Sequence, residues 1–388
     1  MKKMLSLAAM FVALSYASPA SAALNISGDA ATRLRGEFKN SETALGDKTN
    51  TDDLKFQYQL RLSAAADLGN GYFFKTQIAN EENNNGGTPG WATVSNNNGE
   101  RFQLEVNNMY FGHMAEECHY MLGRLPLNSF NNPIFDLALY PIPFAATIYA
   151  VDVPVYQWNY DRIFGLNYGT KLGDGELNTT LVVLDNHSVA NTGATGDGIF
   201  NDGYALHVTY KANIGDVTID PQAVITLTDG YGSTYARVSP NTFGTNVSIP
   251  AGKSKIGLSG FYTICKDSNG TSSIVTPSTT LGVPNTVATG AAANVDYSGY
   301  LLRVKGESGP LTAWVDYNRT VDKTSTETTY SNFFVWAQYN INVYQSASGA
   351  FNLTPTVRYR ASGTDIAGIA GTAHNNMLRT EIVARMSF

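Results

Sequence analysis

Residues 54–68, LKFQYQLRLSAAADL, alternate strictly. Leu54, Phe56, Tyr58, Leu60, Leu62, Ala64, Ala66 and Leu68 fall on one register, and Lys55, Gln57, Gln59, Arg61, Ser63 and Asp67 on the other. Successive side chains of a strand point to opposite faces, so a period of two predicts a strand with one apolar and one polar side. Two environments meet that requirement: a soluble sheet over an oily core, or a membrane barrel with lipid outside and water inside.

The same reading predicts strands near 24–38, 54–68, 71–80, 101–113, 118–125, 154–172, 177–186 and 204–211. It continues near 217–227, 242–249, 255–266, 294–305, 311–321, 329–343, 350–360 and 375–388. Their connections alternate in length. Short ones fall at Gly69-Asn70, Ala115 to Glu117, Gly173 to Gly175, Asn213 to Asp216, Ala251 to Lys253, Gly306 to Pro310 and Tyr344 to Gly349. Longer ones, such as 81–99, 187–203 and 267–293, lie between them. About sixteen antiparallel strands with both termini on the short-turn side require this sorting, and a soluble sandwich has no reason for it. The fold class expected is therefore all-β, a transmembrane antiparallel β-barrel with short periplasmic turns and long extracellular loops. No linker and no repeat of 20–50 residues breaks residues 23–388, which read as one domain.

The first residues, MKKMLSLAAMFVALSYASPASA, place Lys2 and Lys3 ahead of an apolar run and end on Ala20-Ser21-Ala22. That is the pattern of a cleaved signal peptide over residues 1–22. No later apolar run is long enough for a membrane helix, so strands must do any spanning. Charged residues are 15% of the chain, below the ~25% of ordinary soluble proteins, as suits a body that presents much of its outside to lipid. The balance of 26 basic and 32 acidic residues becomes 24 minus 32, or −8, without Lys2 and Lys3. Nucleic acid is not an expected partner.

The last strand, LRTEIVARMSF, sets Leu378, Thr380, Ile382, Ala384, Met386 and Phe388 against Arg379, Glu381 and Arg385. With the export signal, the loop alternation and the terminal Phe388, the chain resembles the Gram-negative outer-membrane porins, the sixteen-stranded general diffusion channels. The resemblance implies an outer-membrane location in contact with its lipid, a homotrimer, and recognition of the Phe388 strand by the barrel-assembly machinery. It also implies that the third outer loop, residues 126–153 here, folds into the lumen and narrows it. That loop is unusually apolar for a solvated segment, with Ile134, Phe135, Leu137, Leu139, Tyr140, Ile142, Phe144, Ile148 and Tyr149. The other reading is that 133–149 packs on a neighbouring subunit or roofs the barrel.

By the same resemblance Asp136 and Asp152 are the loop's acids, facing a basic wall; the family's acidic, Gly-containing loop tip is absent. The basic half comes from the lumen register of the first five strands: Arg33, Arg35, Arg61, Lys75, Arg101 and Arg124, with Glu37 and Glu105 among them. Arg33 and Lys75 are equally well read as rim residues. Opposed charges in a narrow mouth set up a transverse field that favours small polar solutes.

Catalytic chemistry is not expected. His113, His119, His187, His207 and His374 stand outside any Ser-containing motif. Cys118-His119 are neighbours on opposite faces and make a poor metal pair. Cys118 belongs beside an inner turn and Cys265 near an outer strand end, so two separate thiols are expected rather than a disulfide. Asp185, Asp197 and Asp202 with Asn186, Asn191 and Asn201 form an oxygen-rich loop; a Ca²⁺ site there is the weaker reading, since the DxDxDG spacing is missing. No cofactor is expected.

The leading expectation is a water-filled channel passing small hydrophilic solutes and ions by diffusion. One alternative is a solute-specific channel for a sugar or an anion, with Trp158, Tyr160, Trp314, Phe334 and Trp336 as stacking surfaces. Another is a plugged barrel serving as a surface adhesin or structural protein.

Overall fold

The computed structural model describes residues 23–80, 91–94, 104–127, 130–138, 162–185, 203–227, 230–231, 236–237, 240–267, 295–323 and 326–388. These form a closed antiparallel barrel of sixteen strands. The first half comprises β1 (Ala23–Glu42), β2 (Lys48–Gly69), β3 (Tyr72–Ala79), β4 (Glu105–Met114), β5 (Cys118–Pro126), β6 (Arg162–Leu172), β7 (Gly175–Asp185) and β8 (Gly203–Ile214). The second comprises β9 (Val217–Thr226), β10 (Asn241–Ala251), β11 (Ser254–Asp267), β12 (Val295–Ser308), β13 (Leu311–Asp322), β14 (Thr328–Tyr339, continued by Ile341–Ser346), β15 (Gly349–Ile366) and β16 (Ala373–Ser387). One short helix, α1 (Ile134–Ala138), follows β5.

Closure comes from β1, which pairs with β2 from Ala23↔Asp67 to Glu42↔Lys48 and with β16 from Asp29↔Ser387 to Glu42↔His374. Closing the sheet removes the unpaired edges that a hydrocarbon environment does not tolerate. Phe388 seals the start of the seam, donating its N–H to the Gly28 carbonyl at 3.0 Å while its own carbonyl accepts from Gly28 N–H at 2.9 Å.

The turns on one rim are tight. Gly173, Gly215, Gly252 and Gly309 each open a two-residue turn at φ between 54° and 63°. Glycine first in such a hairpin adopts that left-handed backbone without a Cβ penalty, and its twist matches the flanking strands. Both described chain ends lie at this rim. The strand map differs from expectation mainly in length. β14 runs three residues past 343, to Ser346, around a break at Asn340, and β15 reaches Ile366 rather than 360. Beyond Ala79 the wall beside β2 is continued by Ala92–Thr93, opposite Tyr58 and Gln57.

The alternation of the opening stretch resolves as apolar outside and polar inside. Phe56 is 59% exposed on the outer surface, and Phe111, Leu166, Val304 and Ile382 share that side on other strands. Gln57, Gln59, Arg33 and Arg35 face inward and are buried. Cys118, beside a short turn on β5, and Cys265, near the long-loop end of β11, are not joined to each other.

Candidate pore lining

The inward face is densely charged where β1, β2, β15 and β16 meet. On β1 the odd positions Asp29, Ala31, Arg33, Arg35 and Glu37 point inward, opposite Arg61, Gln59, Gln57, Lys55 and Asp53 of β2. On the other side Arg35 meets Glu381 and Glu37 meets Arg379 of β16. Glu381, with its side chain fully buried, ion-pairs with Arg35, with Arg358 at 2.9 Å and with Arg33 at 3.5 Å. Glu37, equally buried, pairs with Arg379 at 2.8 Å, Lys55 at 2.9 Å, Lys39 at 3.5 Å and Arg35 at 3.6 Å. A carboxylate taken out of water is tolerated only when opposite charges surround it. Lys55 also meets Asp53 at 3.6 Å, so among the described residues three acids are shared among six cations and the cluster keeps a positive surplus toward the lumen. Arg33 also lies 4.1 Å from the ring centroid of buried Trp91, with Arg385 5.9 Å away from the same ring.

A second constellation sits on β12, β13 and β14. Arg303 forks onto Asp316 at 2.6 and 2.7 Å, the planar bidentate geometry in which guanidinium and carboxylate match. Trp314 and Trp336 stack at 4.6 Å and 14°, and the Arg358 guanidinium lies 3.7 Å from the Trp336 centroid. Phe130 meets Trp314 edge-on at 4.7 Å and Trp336 at 6.0 Å.

Phe130 begins the segment that carries α1, and the whole of 130–138 is held against inward-facing residues. Lys305 donates to Asn131 at 2.5 Å, Asn132 donates to Gln222 at 2.9 Å and Asn246 donates to Asn132 at 3.1 Å. Arg303 approaches Asp136 at 3.7 Å and donates to the Phe130 carbonyl at 3.4 Å. The helix buries Ile134, Phe135, Leu137 and Ala138 against Ile163, Val182, Ala205, Val224, Phe261 and Leu301. Those six come one each from β6, β7, β8, β9, β11 and β12. They form an apolar belt on an otherwise polar inner face, the surface that an apolar segment needs in order to leave water.

The expected charged residues divide. Arg33 and Arg35 are inward and buried, so Arg33 is no rim residue. Arg61 is inward and bidentate on Asp29 at 2.9 and 3.2 Å. Asp136 is buried and faces Arg303. Lys75 sits on the lumen register close to the short turn at Gly69–Gly71, exposed and 5.3 Å from the Phe73 centroid. Glu105 is exposed at the first position of β4.

Arg124 is a correction. It lies opposite Met109 and Phe164, on the register of outward Phe111, Leu122 and Leu166, with its guanidinium 6.0 Å from the Phe164 centroid. It is therefore outside the lumen. Arg101 and Asp152 lie outside the described residues, as do Trp158, Tyr160, Asp197 and Asp202. Gathering the basic wall from the first five strands missed Arg303, Lys305, Arg358, Arg379 and the acid Glu381. Their signal was present in the alternation of the last five strands, where they occupy the polar register. Among the described residues no group of three or more His, Cys, Asp and Glu is placed to hold a metal ion.

No protein family and no curated protein matches the sequence. Solved structures do match in fold. The outer membrane channel DcaP of Acinetobacter baumannii superimposes with a TM-score of 0.54 at 12% identity, over 96% of this chain and 99% of that one. The anion-selective porin from Comamonas acidovorans gives 0.52 at 12% identity, over 95% and 100%. The trimer form of OmpT, an outer membrane protein of Vibrio cholerae, gives 0.50 at 11% identity, again over 95% and 100%. At such identity the likeness is one of fold: the chain has the barrel fold of outer-membrane porins.

Proposed function

We propose that this barrel lies in the outer membrane of a Gram-negative bacterium and is a water-filled channel for passive diffusion of small hydrophilic solutes, with a preference for anions. Residues 1–22 direct export and are then removed, assembly proceeds through the Phe388 strand, and three copies associate. The observation that carries the anion preference is the cluster around Glu37 and Glu381, in which, among the described residues, Arg33, Arg35, Lys39, Lys55, Arg358 and Arg379 outnumber the acids Glu37, Glu381 and Asp53. Fixed cations lining a water-filled passage raise the local concentration of anions. The loop 126–153 is the constriction, and its anchored portion, 130–138, supports that reading through the Arg303 and Lys305 contacts.

The test is planar-bilayer conductance of the refolded mature chain beside a variant lacking residues 134–149, with reversal potentials in a KCl gradient. Open steps that enlarge on deletion, and a reversal potential of chloride sign, are expected. A silent membrane for both proteins would instead favour a plugged barrel. A solute-specific channel is the second reading, favoured by the Trp314–Trp336 stack beside Arg358; flux that saturates with one solute would select it.

A further inference from the structure

Trp91 belongs by sequence to the long connection 81–99, yet it is seated in the lumen wall and only 6% exposed. Its neighbours carry it there. Ala92 and Thr93 pair with Tyr58 and Gln57 of β2 beyond the end of β3, and Val94 donates its N–H to the Phe56 carbonyl at 2.9 Å. Thr93 takes the inward side of that pairing, since its hydroxyl accepts from the amide Nε2 of inward Gln57 at 2.9 Å. Side chains alternate along an extended segment, so Trp91 shares the inward side with Thr93.

The indole lands on the charge cluster. Gln57, oriented by Thr93, turns its carbonyl oxygen to Arg33 and accepts from Nε at 2.9 Å and from Nη2 at 2.6 Å. The third nitrogen, Nη1, lies 3.5 Å from Glu381. The in-plane edge of the Arg33 guanidinium is therefore turned to wall groups, and what it offers beyond them is a face. Trp91 covers that face, with its ring centroid 4.1 Å from Cζ. A second guanidinium, that of Arg385, approaches the same ring at 5.9 Å while its Nη2 donates to Gln59 at 3.0 Å. A weakly hydrated guanidinium is well suited to lie against an indole.

The same arrangement recurs on the other side of Glu381. Arg358, 2.9 Å from that carboxylate, has its guanidinium 3.7 Å from the Trp336 centroid. One acid thus joins two arginines, and each of them is faced by a tryptophan. Trp336 is packed into the anchor of the third outer loop, whereas Trp91 comes from a different connection and touches the cluster independently.

We propose that Trp91 is a selectivity-determining residue of the channel, covering Arg33 so that passing anions feel its charge without coming into contact with it. The constriction then has two contributors, the third outer loop and the segment 91–94. The effect on ions rests on the channel reading above; the covering of Arg33 can be read without it.

The test records reversal potentials in a KCl gradient for the reconstituted full mature chain and its variants. Native KCl conductance is measured first and judges the channel reading alone. An indole over the guanidinium holds an anion about 8 Å from the charge rather than about 4 Å, so Trp91→Ala is expected to raise the chloride-to-potassium permeability ratio roughly twofold in channel water. Adding Arg33→Gln to Trp91→Ala should cancel that rise. Trp91→Phe, with its smaller ring, should move the ratio the same way by less, and it carries the test if the Ala variant does not fold. The covering itself is read in detergent by labelling arginines with a dicarbonyl reagent and locating the label by mass spectrometry. Trp91→Ala should gain label at Arg33 and keep native labelling at Arg61, whose side chain is 29% exposed on the same inner face. A folded Trp91→Ala with native labelling at Arg33, or a permeability ratio that rises as much with Arg33→Gln as without it, would overturn the role.

Discussion

Removing one charge from the seam tests both its architecture and its role. In Glu381→Gln the side chain keeps its size, but Arg35, Arg33 and Arg358 lose the carboxylate they share. Among the described residues the cluster of six cations and three acids changes from a surplus of three to four. Breaking a fully buried pair by removing one partner costs about 3–5 kcal/mol, because the remaining charges stay buried without compensation. The cost falls on the β1–β16 junction, where Arg35 and Glu381 are direct neighbours. Two measurements follow. Heat- or denaturant-induced unfolding in detergent should occur earlier than for the native chain. In those molecules that do fold, the reversal potential in a KCl gradient should move further toward that of chloride. Adding Arg33→Gln restores the surplus of three and should move it back. A folded Glu381→Gln barrel whose reversal potential equals the native value would show that the cluster does not line the conducting path.

Three further outcomes are expected. Phe130→Ala removes the ring that meets the stacked Trp314 and Trp336 edge-on, worth about 0.5–1.5 kcal/mol per aromatic pair beyond its burial, and single-channel records should show larger or flickering steps. Arg124→Gln should leave ion selectivity unchanged while Arg33→Gln shifts it, because one guanidinium is outside the wall and the other inside; equal shifts in reversal potential would refute that placement. A maleimide probe should label Cys118 in the folded protein and reach Cys265, 1% exposed, only after denaturation, which mass spectrometry of the labelled peptides reads directly.

The alternation of residues 54–68 was enough to specify a strand with an oily and a wet side, since the two-residue period of a strand admits no other reading. With the sorted loop lengths it specified a closed barrel, and Arg33, Arg35 and Arg61 were legible as inward because their neighbours alternate cleanly. β5 was not legible. CHYMLGRL carries apolar residues on both registers, so nothing local chooses a face, and a one-residue change of register moves Arg124 from lumen to lipid. The pairing with Met109 and Phe164 makes that choice.

The apolar belt was half legible. Runs such as LVVL at 181–184, AVI at 223–225 and LL at 301–302 break the alternation by placing apolar residues on both faces at one level. Alone each run reads as noise; only the closed sheet brings Val182, Val224 and Leu301 to a common surface on which α1 rests. The charge cluster was decided in the same way. Arg35 and Glu381 are 346 residues apart in sequence and become neighbours because the first strand pairs with the last. Which face a residue takes is a local property that the period of the sequence encodes. Which charges neutralise one another depends on closure, and closure is a property of the whole cylinder.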